Sequence, residues 1–291
     1  MNGTGTAWGA ISFVNALPTG VGSAAAIRLR VEASVQLVRG AGPRTPVLPS
    51  GIDTPVVRTS LREAVLRFLP AEWRVAALDL RSEIPSGRGL KSSSAVPVAI
   101  GRAVASAAGR SLTPGEAANF SADVSSLTGL SATGAFDDAT ASAMGGATVV
   151  ETTERRMLRH DELSAGWQVV LWIPRTEHRP SSEWRDAFRA RASEGRSIAR
   201  SAESGRYLVA LERNSDLVES VLGLDYRRLR ADLRAAGALG AGISGMGPTL
   251  AVIVPPDRAE EVRRRLPTGN ADARLVELAP PPPLRNARGS R

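Results

Sequence analysis

Over residues 27–37 apolar side chains alternate with polar ones, with Ile27, Leu29, Val31, Val35 and Leu37 set against Arg28, Arg30, Glu32, Ser34 and Gln36. A period of two puts one set in a core and the other in water, which predicts a sheet strand with one wet face. Residues 75–84 form a second strand-like apolar run. After Ser94 the pattern changes: Val96, Val98, Ile100 and Val104, with small Ala and Gly between, suit a closely packed helix. Pro97 is expected in its first turn, where a missing N–H does least harm. Thr113-Pro-Gly-Glu116 is a capping box with proline at the first helical position, and it opens a helix running to about Ser126 and ending at Thr128-Gly129.

In the second half, 167–173 reads as a buried strand, followed by helical stretches around 182–192, 198–212 and 226–236. A strand over 249–254, an amphipathic helix over 256–266 and a last strand over 274–278 follow. The class is α+β, with two domains, 1–155 and 156–279. Residues 280–291, rich in proline and arginine, read as a disordered tail. No internal repeat is visible.

With 291 residues and 43% apolar content, the chain can bury a sizeable core. The absence of cysteine excludes disulfides and thiolate metal sites, and two histidines, His160 and His178, make no zinc site alone. Both read as surface residues, with a place for His178 at a substrate pocket as the alternative. No apolar run reaches the length of a membrane span and residues 1–10 lack the basic region of a secretory signal, so a cytoplasmic location and no membrane partner are expected. The net charge of +8 raises the question of nucleic acid, but the arginines are dispersed and few aromatics accompany them. The densest run, Arg263-Arg264-Arg265, follows Glu260 and Glu261 and reads as a solvated helix face. A basic surface also steers small anionic substrates. The expectation is a small-molecule substrate, no nucleic acid, and a monomer or homodimer.

Against that arginine-rich background the chain has one lysine, Lys91, in the loop Pro85-Ser-Gly-Arg-Gly-Leu-Lys-Ser-Ser-Ser-Ala95. A compact ammonium suits a crowded phosphate site, whereas a guanidinium demands a fork-shaped partner. The loop passes from a strand to a helix N-terminus, where unpaired N–H groups and the dipole favour an anion, and Gly87 and Gly89 let the main chain come close. Ser92, Ser93 and Ser94 are expected to cap the helix. A Walker A loop needs glycine before the lysine, where Leu90 stands, and a dinucleotide fingerprint needs a third glycine, where Ser92 stands.

The pattern Pro-x-x-x-Gly-Leu-x-Ser-Ser resembles the nucleotide loop of the galactokinase, homoserine kinase, mevalonate kinase and phosphomevalonate kinase (GHMP) superfamily, which usually has glycine where this chain has Lys91. The form Gly-Arg-Gly-Leu-Lys-Ser-Ser-Ser-Ala is similar to that of archaeal-type shikimate kinases. Thr133-Gly-Ala-Phe-Asp-Asp-Ala139, closing with Gly145-Gly146, resembles their second motif, and Gly242-Ile-Ser-Gly-Met-Gly-Pro-Thr249 resembles the third glycine-rich motif of the superfamily. The segment 13–23 looks like the N-terminal segment of the shikimate enzymes. Two positions depart: Val21 stands where a lysine is expected, and Ser126 stands where mevalonate kinase-like members place a metal-binding glutamate, leaving Asp123, Asp138 or neither as the substitute.

The resemblance implies the two-domain GHMP kinase fold and ATP-dependent phosphorylation of the 3-hydroxyl of shikimate, with a related polyol or cyclitol, or a catalytically silent nucleotide binder, as alternatives. Pro85, Gly87, Arg88, Gly89, Leu90, Lys91, Ser92, Ser93, Ser94 and Ala95 would hold ATP, with Mg²⁺ on Ser93 and Asp138. Asp137 would accept the proton of the substrate hydroxyl, with Lys91 as the second catalytic group. Read without the resemblance, Asp137-Asp138 is equally a turn pair or helix cap, and the glycines at 242–247 a plain turn. Asn15, Thr19, Thr133, Ser244, Gly245 and Gly247 are substrate-side candidates, and Arg88 or Arg179 would meet a substrate carboxylate.

Overall fold

In the computed structural model, which describes residues 1–129, 131, 133–163, 166–175 and 183–281, the alternation at 27–37 is the outer half of a longer strand. Two antiparallel strands, β1 (Asn2–Val14) and β2 (Val21–Arg39), open the chain. Helix α1 (Pro55–Phe68) follows, capped by the Thr54 side chain, which accepts the Val57 N–H. Strand β3 (Trp73–Ser82) pairs with the far half of β2. Then come α2 (Ser92–Ala107), α3 (Pro114–Thr128) and α4 (Phe136–Met144). The capping box of α3 forms as expected, with Thr113 Oγ1 accepting the Glu116 N–H and Glu116 accepting the Thr113 N–H.

Strand β4 (Ala147–Glu151) pairs with the near half of β2, and β5 (Arg156–Asp161) pairs with β4. The first sheet is therefore five-stranded, with β3 and β4 sharing one edge of β2. Strand β5, which lies beyond the boundary expected at residue 155, hydrogen-bonds into this first sheet, and β6 (Gln168–Pro174) belongs to the second.

The second unit continues with α5 (Trp184–Ala190), α6 (Ala192–Glu203), α7 (Tyr207–Leu222), α8 (Arg227–Ala235), β7 (Gly240–Ile243), β8 (Leu250–Val254), α9 (Ala259–Arg265) and β9 (Ala271–Glu277). Its antiparallel sheet runs β7-β8-β6-β9. The single helix expected over 198–212 is two, because the chain breaks at Gly205, whose φ of +77° no α-helix contains. His178, Arg179 and the tail from 282 onward lie outside the described residues.

Helix α2 lies almost directly on β1. A Cβ on Gly3 would stand 2.3 Å from the Ala103 carbonyl, and one on Gly5 would stand 2.2 Å from that of Ala99. Glycine on the strand and alanine on the helix bring the backbones together, and this depth sets the height of the loop that feeds α2. Pro97 lies in the second turn, not the first, since α2 begins at Ser92; the carbonyl deprived of its bond is that of Ser93, at the exposed start of the helix. Among the described residues, no helix is long and apolar enough to cross a membrane.

Candidate active site

The loop 85–91 connects β3 to α2 through three left-handed residues, Gly87 (φ +69°), Gly89 (φ +77°) and Lys91 (φ +69°). Glycine at 89 is demanded by contact as well, since a Cβ there would fall 2.3 Å from the Ser244 carbonyl oxygen. Lys91 has no such freedom, and holding it left-handed costs about 1 kcal/mol. It is itself the residue that caps α2, and no side chain caps the helix, contrary to the expectation for Ser92, Ser93 and Ser94. Ser94 is fully buried, its hydroxyl unpartnered among the described residues. The leading N–H groups of Ser92 and Ser93 thus have no protein acceptor among the described residues, and with the positive end of the helix dipole they form a seat for an anion. Leu90 is buried and its carbonyl accepts the Ala10 N–H on the outer edge of β1.

Helix α4 begins after Ala135, also left-handed, so Asp137 and Asp138 occupy its first turn. Lys91 Nζ lies 3.0 Å from Asp138 Oδ1, both side chains being largely buried. Two helix N-termini therefore face one another across this ion pair. Asp137 lies over the glycine of β2 at 22, where a Cβ would fall 2.2 Å from its Oδ2. Burial first, and the charge of Asp138 second, push the Asp137 carboxyl up to about 7, with Lys91 offsetting part of the rise.

The segment 242–249 closes the third side. Ser244 is fully buried; its Oγ accepts the Ser12 N–H at 3.2 Å and donates to the Gly89 carbonyl at 2.7 Å. This hydroxyl, a substrate-side candidate, joins β1, the loop 85–91 and the β7–β8 turn through these two bonds. A Cβ on Gly245 would stand 2.7 Å from Lys91 Nζ, and the Gly247 N–H donates to the Ser244 carbonyl. Three segments distant in sequence thus converge on Lys91.

The other candidates are placed less directly. Asn15 is engaged in the turn after β1: its N–H donates to Asn214 Oδ1 at 2.8 Å, and its Oδ1 accepts the Leu17 N–H. Thr19 Oγ1 accepts the Val21 N–H, and the Thr133 N–H donates to Ser131 Oγ. Arg88 reaches across to the Arg175 carbonyl at the end of β6. Asp123 is unsuited to a metal, because Arg67 and Arg155 each hold one of its oxygens at 2.6 Å and keep its carboxyl below the usual range despite partial burial. Ser126 Oγ stands 3.4 Å from where a Cβ on Gly134 would be, so the departed glutamate position does border the second motif. Sequence reasoning missed Asn214, whose buried Nδ2 has no partner among the described residues; nothing in the mid-helix sequence of α7 marks it.

No cluster of three or more acidic or histidine side chains gathers to hold a metal among the described residues. A cleft of about 760 Å³, lined in part by Arg28, Glu83, Pro85 and Arg274, opens beside the loop, and none of Lys91, Asp137 and Asp138 borders it.

Comparison with known proteins places most of the chain in one family. The GHMP kinases N terminal domain model matches residues 59–146 and the GHMP kinases C terminal model matches residues 195–272. The chain is 34% identical over 262 residues to a shikimate kinase of Methanothrix thermoacetophila, covering 90% of this chain and 88% of the relative. It is 34% identical to a shikimate kinase of Archaeoglobus fulgidus, covering 84% and 81% of the two chains. Among solved structures, galactokinase of Lactococcus lactis superposes with a TM-score of 0.73 at 11% identity, covering 96% of this chain and 94% of that one. The mevalonate kinase of Methanococcus jannaschii superposes with a TM-score of 0.69 at 12% identity, covering 96% and 98%.

Proposed function

The chain belongs to the GHMP kinase family, and on that premise we propose that it transfers the terminal phosphoryl group of ATP to the 3-hydroxyl of shikimate. The observation that carries the reading is the Lys91–Asp138 contact, which brings the phosphate loop against the helix bearing a buried, high-pKa carboxyl. The substrate class is supported by relatives named shikimate kinase, alike over nearly the whole chain.

In this mechanism the triphosphate rests on the Ser92 and Ser93 amides, with Lys91 beside it. The substrate hydroxyl points at Asp137. As its oxygen attacks the terminal phosphorus, the proton passes to the Asp137 carboxylate, the bond to the bridging oxygen breaks, and ADP leaves with the electron pair. Lys91 and the two helix N-termini offset the charge that moves, in a buried setting where such interactions are strong. A group near pKa 7 is suited to this exchange, being ionised often enough to act and basic enough to take the proton. The Asp138 carboxylate and the exposed Ser93 hydroxyl are the hard oxygen donors that would hold Mg²⁺; so small a set suits an ion that keeps its waters and rides on nucleotide phosphates, where it neutralises charge.

The test is a coupled ADP-release assay with Mg²⁺ and ATP on shikimate, quinate, homoserine, mevalonate and a cyclitol panel, with Asp137→Ala as control. Turnover on shikimate, lost in the variant, is the expected result; turnover on another alcohol alone overturns the substrate. Val21, standing where lysine is expected, favours a related polyol as the second reading. ATP binding without turnover on any alcohol would point to a silent relative.

A further inference from the structure

The far end of α4 is held by a segment the reaction does not use. Beyond β9 the chain returns to the first sheet, where Leu278 bridges Ile27. Three backbone bonds then close a ring: Ala279 N–H donates to the Ala26 carbonyl (2.9 Å), Ala26 N–H to that of Gly146 (2.9 Å), and Gly146 N–H to that of Ala279 (2.8 Å). The glycine pair that ends α4 is shaped for this seat. A Cβ on Gly145 would fall 2.1 Å from the Pro280 carbonyl oxygen, and at φ +69°, ψ 179° the position admits little but glycine. A Cβ on Gly146 would fall 2.5 Å from the Asp161 carbonyl. His160 Nε2 lies 2.9 Å from the Gly145 carbonyl, and Arg102 donates to that of Ala143.

We infer that residues 278–281 are a positioning strap: seated on Gly145-Gly146, they fix the C-terminus of α4 and so the register of Asp137 and Asp138 at its N-terminus. The helix has nine residues, so a tilt at one end is felt at the other. The strap also continues directly from the second sheet, which carries the Ser244 clamp, so both sides of the site are anchored to one body.

The inference rests on the proposed kinase reading, and two measurements on the full-length chain keep the two separable. Gly145→Ala pushes the strap away from the helix side, while Ala279→Pro removes the donor on the strap side. Each is expected to lower kcat by about tenfold to a hundredfold, with KM for ATP within about threefold of the parent. Because both unseat the same strap by different contacts, the double variant should fall little below the worse single one, not by the product of the two. Amide hydrogen exchange over residues 139–144 needs no substrate and should quicken in each variant. Faster exchange with unchanged kcat overturns the positioning role, as do effects on kcat that multiply, or unchanged exchange. A parent chain inert on every alcohol would instead defeat the kinase reading, while the exchange result still reports on the strap.

Discussion

The ammonium of Lys91 lies 3.0 Å from Oδ1 of Asp138, so the single lysine of the chain ties the start of the phosphate-loop helix to the start of the helix bearing the acidic pair. It does so from a left-handed backbone position where the superfamily usually has glycine, at a conformational cost that glycine would not carry.

Lys91→Gly should therefore lower both stability and rate. Leaving the largely buried Asp138 carboxylate unpaired costs about 3–5 kcal/mol, more than the roughly 1 kcal/mol of left-handed strain relieved, so the melting temperature falls, and kcat falls by about a hundredfold because one preorganised charge is gone. A thermal melt beside the coupled assay checks both; a variant with parental kcat would show that the ammonium is structural.

The pH dependence of Asp137 has a definite sign. In the unfolded chain this carboxyl ionises near its ordinary 3.8, whereas the folded state holds the proton to about 7. The folded state thus binds more protons between those values, and its stability falls as pH rises from about 4 to about 7, then levels. Asp137→Asn removes the penalty, so it should raise the melting temperature more at pH 8 than at pH 5 while abolishing turnover. In the parent, kcat/KM for shikimate should rise with pH through about 7, as the base must be ionised to act.

Gly22→Ala places a methyl where Asp137 Oδ2 now lies, in extended backbone that tolerates alanine. The carboxylate must move aside, and a displacement of that size costs about a hundredfold in kcat. ATP binding, measured by calorimetry, should be unchanged, since the phosphate seat is formed elsewhere.

Ser244→Ala leaves the Ser12 N–H and the Gly89 carbonyl facing an empty place, a loss of about 1–3 kcal/mol. Because Gly89 is in the loop, the damage should appear chiefly as a higher KM for ATP; a rise confined to the KM for the alcohol would restore Ser244 to the substrate side.

What could be read beforehand was what depends on local pattern. The alternation in β2, the capping box of α3 and the three glycine-rich segments were all legible from neighbours in sequence. Strand β1 was not, because Gly3, Gly5 and Gly9 carry no strand signature, and their reason, the closeness of α2 to Gly3 and Gly5 and of Ile84 and Leu90 to Gly9, lies far along the chain. The pairing of β5 into the first sheet, the break at Gly205 and the engagement of Asp123 by two arginines are likewise tertiary facts. In the structure Lys91 meets Asp138, Ser244 holds the loop, and Lys91 rather than a serine caps its helix.

The glycine face of β1 also has a meaning for the nascent chain. Synthesis delivers β1 and β2 long before α2 exists to cover them, and early strands with bare apolar faces invite association with other chains. The first part of β1, whose inward positions at 3 and 5 have no side chain, shows little apolar surface during that wait, in contrast to Ile11 and Phe13 further along. The closeness that sets the height of the phosphate seat in the finished protein therefore leaves the unfinished one less adhesive.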